Sequence, residues 1–347
     1  MTPTGGLEGG SASGDPTPAG AAPAGALEGD GADDGFEGPD GGWAPPAAFD
    51  DYALVRLLGR GSTGAVYLAE DTLLARHVAI KFVDAVGPGS ERRERFLNEA
   101  RAVARVHHPN VIGLYRVGEV SGRPYLVTEF ARGEPLDRLP VPLPWSKVLA
   151  IGIDLARGLS AAHRRGLLHC DIKPQNAILT DEGTKLVDFG LARLVRGGPS
   201  PARAEASSGG EGRAPQGTPH FMAPELWRGE PPTKRSDVYA LGALLYYLSA
   251  GRGPFASVPP RELAQRVQEA DAPPLAKHAS GVDSRLGSIV DRCLRREPAG
   301  RFASGDELRE ALEQLGRRTA GAPPPAGNPY RGLRPFDADH RALFFGR

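Results

Sequence analysis

The feature that most restricts this chain is an ordered set of polar residues, Asp171, Lys173, Asn176 and Asp188, spread over eighteen positions. The first three lie in His169-Cys170-Asp171-Ile172-Lys173-Pro174-Gln175-Asn176, and the fourth opens Asp188-Phe189-Gly190. Strand-like pieces at Ala177–Leu179 and Lys185–Val187 flank a polar Asp181-Glu182-Gly183 turn, so a hairpin separates the two stretches. Moving a phosphoryl group requires a carboxylate to orient the attacking hydroxyl, a cation for the transferring group, and oxygen ligands for Mg²⁺. Asp171, Lys173, and the pair Asn176 with Asp188 are residues of those types. Taken singly, each would more often be a polar group on a loop. As an ordered set, chance is remote.

A second set lies upstream. Gly59-Arg60-Gly61-Ser62-Thr63-Gly64-Ala65-Val66 sits between strand signals at Tyr52–Leu58 and Ala65–Glu70. Glycines let backbone amides approach a phosphate chain closely, and a strand-turn-strand setting makes a lid over nucleotide. A dinucleotide-binding turn would lead straight into a helix, whereas Ala65–Leu68 reads as strand. By itself the turn is equally readable as a plain glycine hairpin. Lys81 ends the strand Val78-Ala79-Ile80-Lys81 within His77–Val83, and a charge closing a buried strand needs a partner. Glu99 is the candidate. On a helix expected from Ser90 to about His107, it falls three residues after Phe96 and four before Val103, on the apolar face. A Lys81–Glu99 bridge that holds the lysine against phosphates accounts for both charges. A solvated Glu99 at the edge of that face is the alternative.

Further strand signals at Val111–Val117 and Tyr125–Phe130 complete a small, mostly antiparallel sheet with one helix. After Gly133 the texture turns helical, at Ser146–Arg165, Ser236–Ala250, Arg261–Glu269, Val282–Arg295 and Ser304–Leu315. The aperiodic stretch Pro199–Gln216 predicts a mobile loop, and Gly321–Gly327 a linker.

Composition sets the outer bounds. Of 347 residues, 40% are apolar and 24% charged, which suits a folded soluble core. Residues 1–48 are Gly, Ala, Pro, Ser and acid with few large apolar side chains, so they are expected to be disordered, with order starting near Phe49 or Tyr52. The formal net charge is zero, yet the first fifty residues hold nine acids and no Lys or Arg. The remainder carries 42 basic against 33 acidic residues (42 less those nine). No basic run has interleaved aromatics, so no nucleic-acid partner is expected. Cys170 and Cys293 stand far apart in no metal-ligand spacing, which suits a reducing, cytoplasmic setting. No secretory signal is visible, and the apolar run Val238–Ala250 is shorter than the ~20 residues that span a bilayer.

Together these residues resemble the eukaryotic-type (Hanks-type) protein kinases, in their bacterial serine/threonine branch, over about Tyr52 to Leu315. The matching pieces are the glycine turn, Val78–Lys81, Glu99, His107-His108-Pro109-Asn110, Asp171–Asn176, Asp188–Gly190, Gly217-Thr218-Pro219, Ala223-Pro224-Glu225, Asp237 and Arg301. The resemblance implies an α+β, bilobal kinase fold flanked by disordered segments. Its lobes would be a small antiparallel N-lobe with one helix at 52–132 and a mainly helical C-lobe at 133–315. A linker at 316–328 and a tail at 329–347 follow. It also implies ATP and Mg²⁺ as cofactors and a protein with a Ser or Thr acceptor as substrate, in bacterial signal transduction.

The resemblance assigns roles by position. Asp171 and Lys173 would be catalytic, and Asn176 and Asp188 would hold the metal. Leu58, Gly59, Arg60, Gly61, Ser62, Thr63, Gly64, Ala65 and Val66 would enclose ATP from the glycine turn, with Ala79 covering the adenine and Ile178 beneath it. Lys81 and Glu99 would serve the phosphates. Thr128 takes the gatekeeper position, and the backbone of Glu129 and Ala131 would read the adenine edge. Lys173 with Thr218 follows the serine/threonine pattern. Asp237, Glu225 and Arg301 would be structural, as would His163 and His169.

The chain departs from the pattern twice. Cys170 stands where most active relatives have Arg, so a phosphate on the Leu191–Gln216 loop is not the expected on-switch. The aromatic tail, Asn328-Pro329-Tyr330 through Phe344-Phe345-Gly346-Arg347, looks like the opening of a STAND-type NTPase module, although no Walker A loop follows. Either the chain continues into such a module, or the tail docks on a partner, on a second copy in a homodimer, or back on the kinase itself. Two other functions stay open at this point: a pseudokinase acting as a nucleotide-binding scaffold, and a small-molecule phosphotransferase.

Overall fold

Six strands between Ala48 and Glu129 build one antiparallel sheet, in which sequence neighbours lie side by side except that the sixth strand sits between the fourth and the fifth. Its strands are β1 (Ala48–Phe49), β2 (Tyr52–Gly61), β3 (Gly64–Asp71), β4 (Arg76–Val83), β5 (Leu114–Val120) and β6 (Arg123–Glu129). The computed structural model describes residues 43–61, 64–83, 90–189 and 219–320. The expected loop at Pro199–Gln216, most of the acidic N-terminal segment, the Gly321–Gly327 linker and the aromatic tail lie outside the described residues.

Strand alternation gives the sheet two different faces. Val78, Ile80 and Phe82 of β4 turn outward into an aromatic layer with Tyr52, Tyr67 and Tyr125. Ala79, Lys81 and Val83 turn the other way, where Val83 packs with Leu126 and with Phe96 and Ala100 of helix α1 (Ser90–Ala104).

Order begins earlier than the composition suggests. Trp43 stands edge-on to Phe82 with ring centroids 5.4 Å apart, and the Arg123 guanidinium sits 4.4 Å above the Trp43 ring. Phe49 adds edge contacts to Phe82 and Tyr125 at 5.5 and 5.0 Å, and the Tyr125 hydroxyl donates to Asp50. Residues 43–51 therefore form a strap over the outer face. Isolated aromatics among prolines and alanines carry no periodicity, which is why the sequence reads as unstructured there. Trp43→Ala should cost roughly 2 kcal/mol, below the range for a fully buried Trp because Trp43 is only half-buried. An unchanged denaturation midpoint in that variant would mean the strap does not pack in solution.

Two further boundaries move for tertiary reasons. Helix α1 ends at Ala104 rather than His107, where Val106 N donates to Val103 O in a tightened last turn and His108 precedes Pro109. Strand β5 starts at Leu114 rather than Val111, because residues 110–112 pair elsewhere. Ile112 N donates to Leu186 O at 2.9 Å and Leu186 N to Asn110 O at 3.0 Å.

The larger lobe is helical, with α2 (Trp145–Arg164), α3 (Pro224–Trp227), α4 (Lys234–Ala250), α5 (Pro260–Glu269), α6 (Ser284–Cys293) and α7 (Gly305–Ala320). Helix α7 runs past the expected end at Leu315, and Gly316 packs where a side chain would press on Ile153 of α2. Helix α4 is apolar nearly all round and buried, capped by a Thr233–Ser236 box and closed by Gly251 at φ 71°. No helix among the described residues is long and apolar enough to cross a membrane. A second sheet, β7 (Gly133–Pro135), β8 (Ala177–Thr180) and β9 (Gly183–Leu186), lies where the lobes meet and carries the candidate site.

Candidate active site

The β8–β9 hairpin does what its position in the sequence predicts: it returns the chain so that the 169–176 loop and Asp188 sit side by side. Val187 N donates to Asn176 O at 3.0 Å, locking the two stretches together. Within the loop, Lys173 Nζ donates to Asp171 Oδ2 at 2.7 Å, and Asn176 Nδ2 donates to the same oxygen and to Asp171 O, both at 2.8 Å. One carboxylate oxygen of Asp171 is thus held by two donors, which orients the other. The contacts made by Asn176 spend its amide nitrogen and leave its oxygen.

Asp188 has a partner of its own. Lys81 Nζ donates to Asp188 Oδ2 at 2.7 Å, with the lysine side chain 9% exposed and the aspartate 33%. Phe189 is buried against His169, ring centroids 4.4 Å apart, and anchors the backbone beneath Asp188. Asp188 and Cys170 both hold positive φ, 62° and 64°. Such backbone costs about 1–3 kcal/mol per residue, and the bonds on either side sustain it.

The wall expected to meet a nucleotide is apolar and only half-buried. Leu58, Val66, Ala79, Thr128 and Ile178 are partly exposed, while Val78 and Ile80 on the far face are fully buried. Ala131 is buried, Arg60 is exposed, and Ser62 and Thr63 lie outside the described residues. Ala65 packs against the outer aromatic layer, so its methyl group does not share the Val66 face. The glycines of the turn divide by role. Gly64, at φ 132°, could carry no side chain, since a Cβ would lie 1.8 Å from Phe82 O. At Gly59 and Gly61 a Cβ would meet nothing within 4 Å, so no packing inside the chain demands glycine there. Glu99 lies half-buried on α1, and Lys81 pairs with Asp188.

The protein kinase domain family matches residues 52–314. The chain is a protein kinase domain. It is 36% identical over 281 residues to serine/threonine-protein kinase PknK of Mycobacterium tuberculosis (strain ATCC 25618 / H37Rv), covering 78% of this chain and 24% of that protein. To serine/threonine-protein kinase PknB of Mycobacterium leprae (strain TN) it is 32% identical over 292 residues, covering 81% and 45%. The chain thus spans a quarter to a half of the length of these relatives. The crystal structure of the Mycobacterium tuberculosis PknI kinase domain superposes with a TM-score of 0.58 at 30% identity, over 77% of this chain and 96% of that one. The fold is bilobal, and these similarities place the chain in the bacterial, Hanks-type serine/threonine branch.

Beneath the kinase site lies a buried scaffold. Asp237, 1% exposed, accepts from His169 N and Cys170 N at 2.8 Å each and contacts His163 Nε2 at 3.0 Å. It fixes the backbone immediately ahead of Asp171, in keeping with the structural role the family resemblance implies. His163 Nδ1 accepts from Gly305 N at 3.0 Å, joining α2, α4 and α7. Burial lowers the pKa of His169, against the raising pull of Asp237, and this favours a neutral ring. The sequence reading missed Lys185 and the carboxylate of Glu129, which form an ion pair of 2.5 Å. A single lysine in a short strand gives no hint of a partner 56 positions away.

Proposed function

We propose that this domain is an ATP- and Mg²⁺-dependent serine/threonine protein kinase that transfers the γ-phosphate in line to a protein hydroxyl. The observation that carries the reading is the convergence of Asp171, Lys173 and Asn176 in one hydrogen-bonded group facing the Lys81–Asp188 pair. A carboxylate, two ammonium groups and two oxygens unspent among the described residues meet there. The donor set suits a hard dication, since Asn176 and Asp188 each keep an oxygen. Bound Mg²⁺ would neutralise charge on the phosphates. Asp171 would orient and accept the proton of the attacking hydroxyl, and Lys173 would balance charge on the transferring group.

Lys81, assisted by Glu99, would hold the α- and β-phosphates. The free space at Gly59 and Gly61 supports a turn shaped for close backbone approach to a phosphate chain. Leu58, Val66, Ala79 and Ile178 would sandwich the adenine, with Thr128 at the back and the backbone of Glu129 and Ala131 at its edge. We place the protein in the cytoplasm, in bacterial signalling; both cysteines are free thiols, and burial pushes Cys293 up to about 12.

The test is incubation of the whole chain with labelled ATP, Mg²⁺ and a Ser/Thr acceptor protein, beside Lys81→Met. Label should enter protein, and Lys81→Met should lower the rate about 10²–10³-fold. Nucleotide binding without label transfer would favour a pseudokinase scaffold. Label found only in low-mass product would favour a small-molecule phosphotransferase.

Cys170 supplies no cation beside Asp171, so activity is not expected to depend on a phosphate in the 191–216 loop. Ser207→Ala and Ser208→Ala should each keep trans-phosphorylation, while Thr218→Ala, next to the catalytic loop in the family pattern, should lose it. Complete loss in both serine variants would overturn the idea.

A further inference from the structure

Glu129 ends β6, the last strand before the chain leaves the smaller lobe, and its carboxylate reaches two other elements. Oε1 accepts from Lys185 Nζ at 2.5 Å, and Oε2 accepts from Gly113 N at 3.3 Å. The backbone is tied as well, with Glu129 N donating to Gly113 O at 2.8 Å. Gly113 follows directly on residues 110–112, which pair with Leu186 of β9. Lys185 is on β9, opposite Ile178 in the β8–β9 register, and its side chain is only 11% exposed.

The position of this pair is what gives it meaning. One end is the residue whose backbone is proposed to read the adenine edge. The other lies three positions before Asp188, proposed to hold the metal, and pairs across the hairpin with Ile178, proposed to underlie the adenine. A buried ammonium with no counter-charge is costly, so the contact is rigidly specified. It therefore fixes the spacing between the adenine end and the phosphate end of the cleft.

We propose that Lys185 and the Glu129 carboxylate are positioning residues for nucleotide: an ion-pair clamp across the lobe junction that keeps the adenine-reading backbone in register with Asp188. This rests on the ATP reading above. It adds a role for side chains that touch no reacting atom. Loss of the clamp should weaken nucleotide binding more than it slows the chemical step.

The experiment measures MgADP affinity by calorimetry, KM for ATP, kcat and melting temperature on the whole chain. Lys185→Met and Glu129→Gln should each weaken MgADP binding and raise KM about tenfold, with kcat changed less than about threefold. The double variant should be no worse than the poorer single one, because both remove the same contact. Lys185→Arg, which keeps the charge, should recover most of the affinity. A lower melting temperature with unchanged MgADP affinity and KM in both single variants would overturn the clamp and leave a merely structural pair. If Lys185→Met does not fold, Glu129→Gln decides alone, since it keeps the acceptor for Gly113 N. Failure of the wild-type chain to bind MgADP would instead overturn the ATP reading itself.

Discussion

Asp171→Asn should lower kcat by about 10²–10⁴-fold while MgADP affinity stays within about twofold. The reason is in the geometry around the carboxylate. Lys173 and the Asn176 amide both donate to Oδ2, and the loop backbone is held from below by Asp237. An amide of the same size keeps the loop's shape but can no longer accept the hydroxyl proton. It also presents Lys173 with a neutral partner. Because Asp171 is expected to meet the acceptor hydroxyl rather than the nucleotide, binding should survive. Steady-state phosphate incorporation and calorimetry on the same preparation separate the two quantities. Wild-type incorporation in the variant would remove Asp171 from the mechanism.

The second large effect concerns stability. Arg301→Ala should destabilise the larger lobe by about 3–5 kcal/mol, lowering the melting temperature by roughly 10 °C for a domain of this size. Arg301 and Glu225 are 1% and 2% exposed and meet in a two-pronged contact of 2.8 and 2.9 Å. Arg301 also donates to the carbonyls of Arg295, Arg235 and Arg296, and its guanidinium lies 4.8 Å from the Tyr239 ring. Glu225 accepts in addition from Ser236 Oγ at 2.7 Å. Truncating Arg301 leaves a buried carboxylate with neutral donors only and removes the guanidinium from three carbonyls. A shift of only one or two degrees would show that water reaches the site and solvates what remains.

The same pair makes stability sensitive to acid. Burial raises the pKa of Glu225, but the hydrogen bonds and charge of Arg301 outweigh it, and the net shift is downward. A carboxylate with a lowered folded-state pKa stabilises the fold fully above its unfolded value of about 4.5. That contribution falls away as pH drops below this value and through the folded one. Arg301→Met paired with Glu225→Gln should therefore lose less stability on acidification than the parent does, in a comparison of melting temperature against pH. Equal slopes would assign the acid sensitivity to other carboxylates.

Most of the proposed catalytic set was legible because phosphoryl transfer demands particular residue types in a particular order. Asp171, Lys173, Asn176 and Asp188 are brought together by a hairpin whose turn, Asp181-Glu182-Gly183, can be read directly. The strand His77–Val83 was readable from its β-branched run, whereas its two faces, with Val78, Ile80 and Phe82 on one side and Ala79 and Lys81 on the other, emerge from the structure. Less visible were features carried by single residues. Trp43 and Phe49 cover the outer face of the sheet from a stretch that looks unstructured, since two aromatics among alanines and prolines have no period. Val111 and Ile112 have strand composition and do pair, yet with Leu186 of β9 rather than with the large sheet.

The sequence by itself determined the residue types of the candidate site and the two-lobed order of elements, because those depend on composition, spacing and local periodicity. Tertiary structure alone decided which charge meets which. Lys81 lies against Asp188, Glu129 reaches Lys185, Asp237 holds the backbone of His169 and Cys170, and Asp171 is gripped by Lys173 and Asn176. The physical reason is the cost of desolvation. A buried charge must find a partner, but any opposite charge of suitable reach will serve, and only the packed fold decides which one is near. Asp171 is recognisable from its neighbours in sequence, and its orientation comes from the fold.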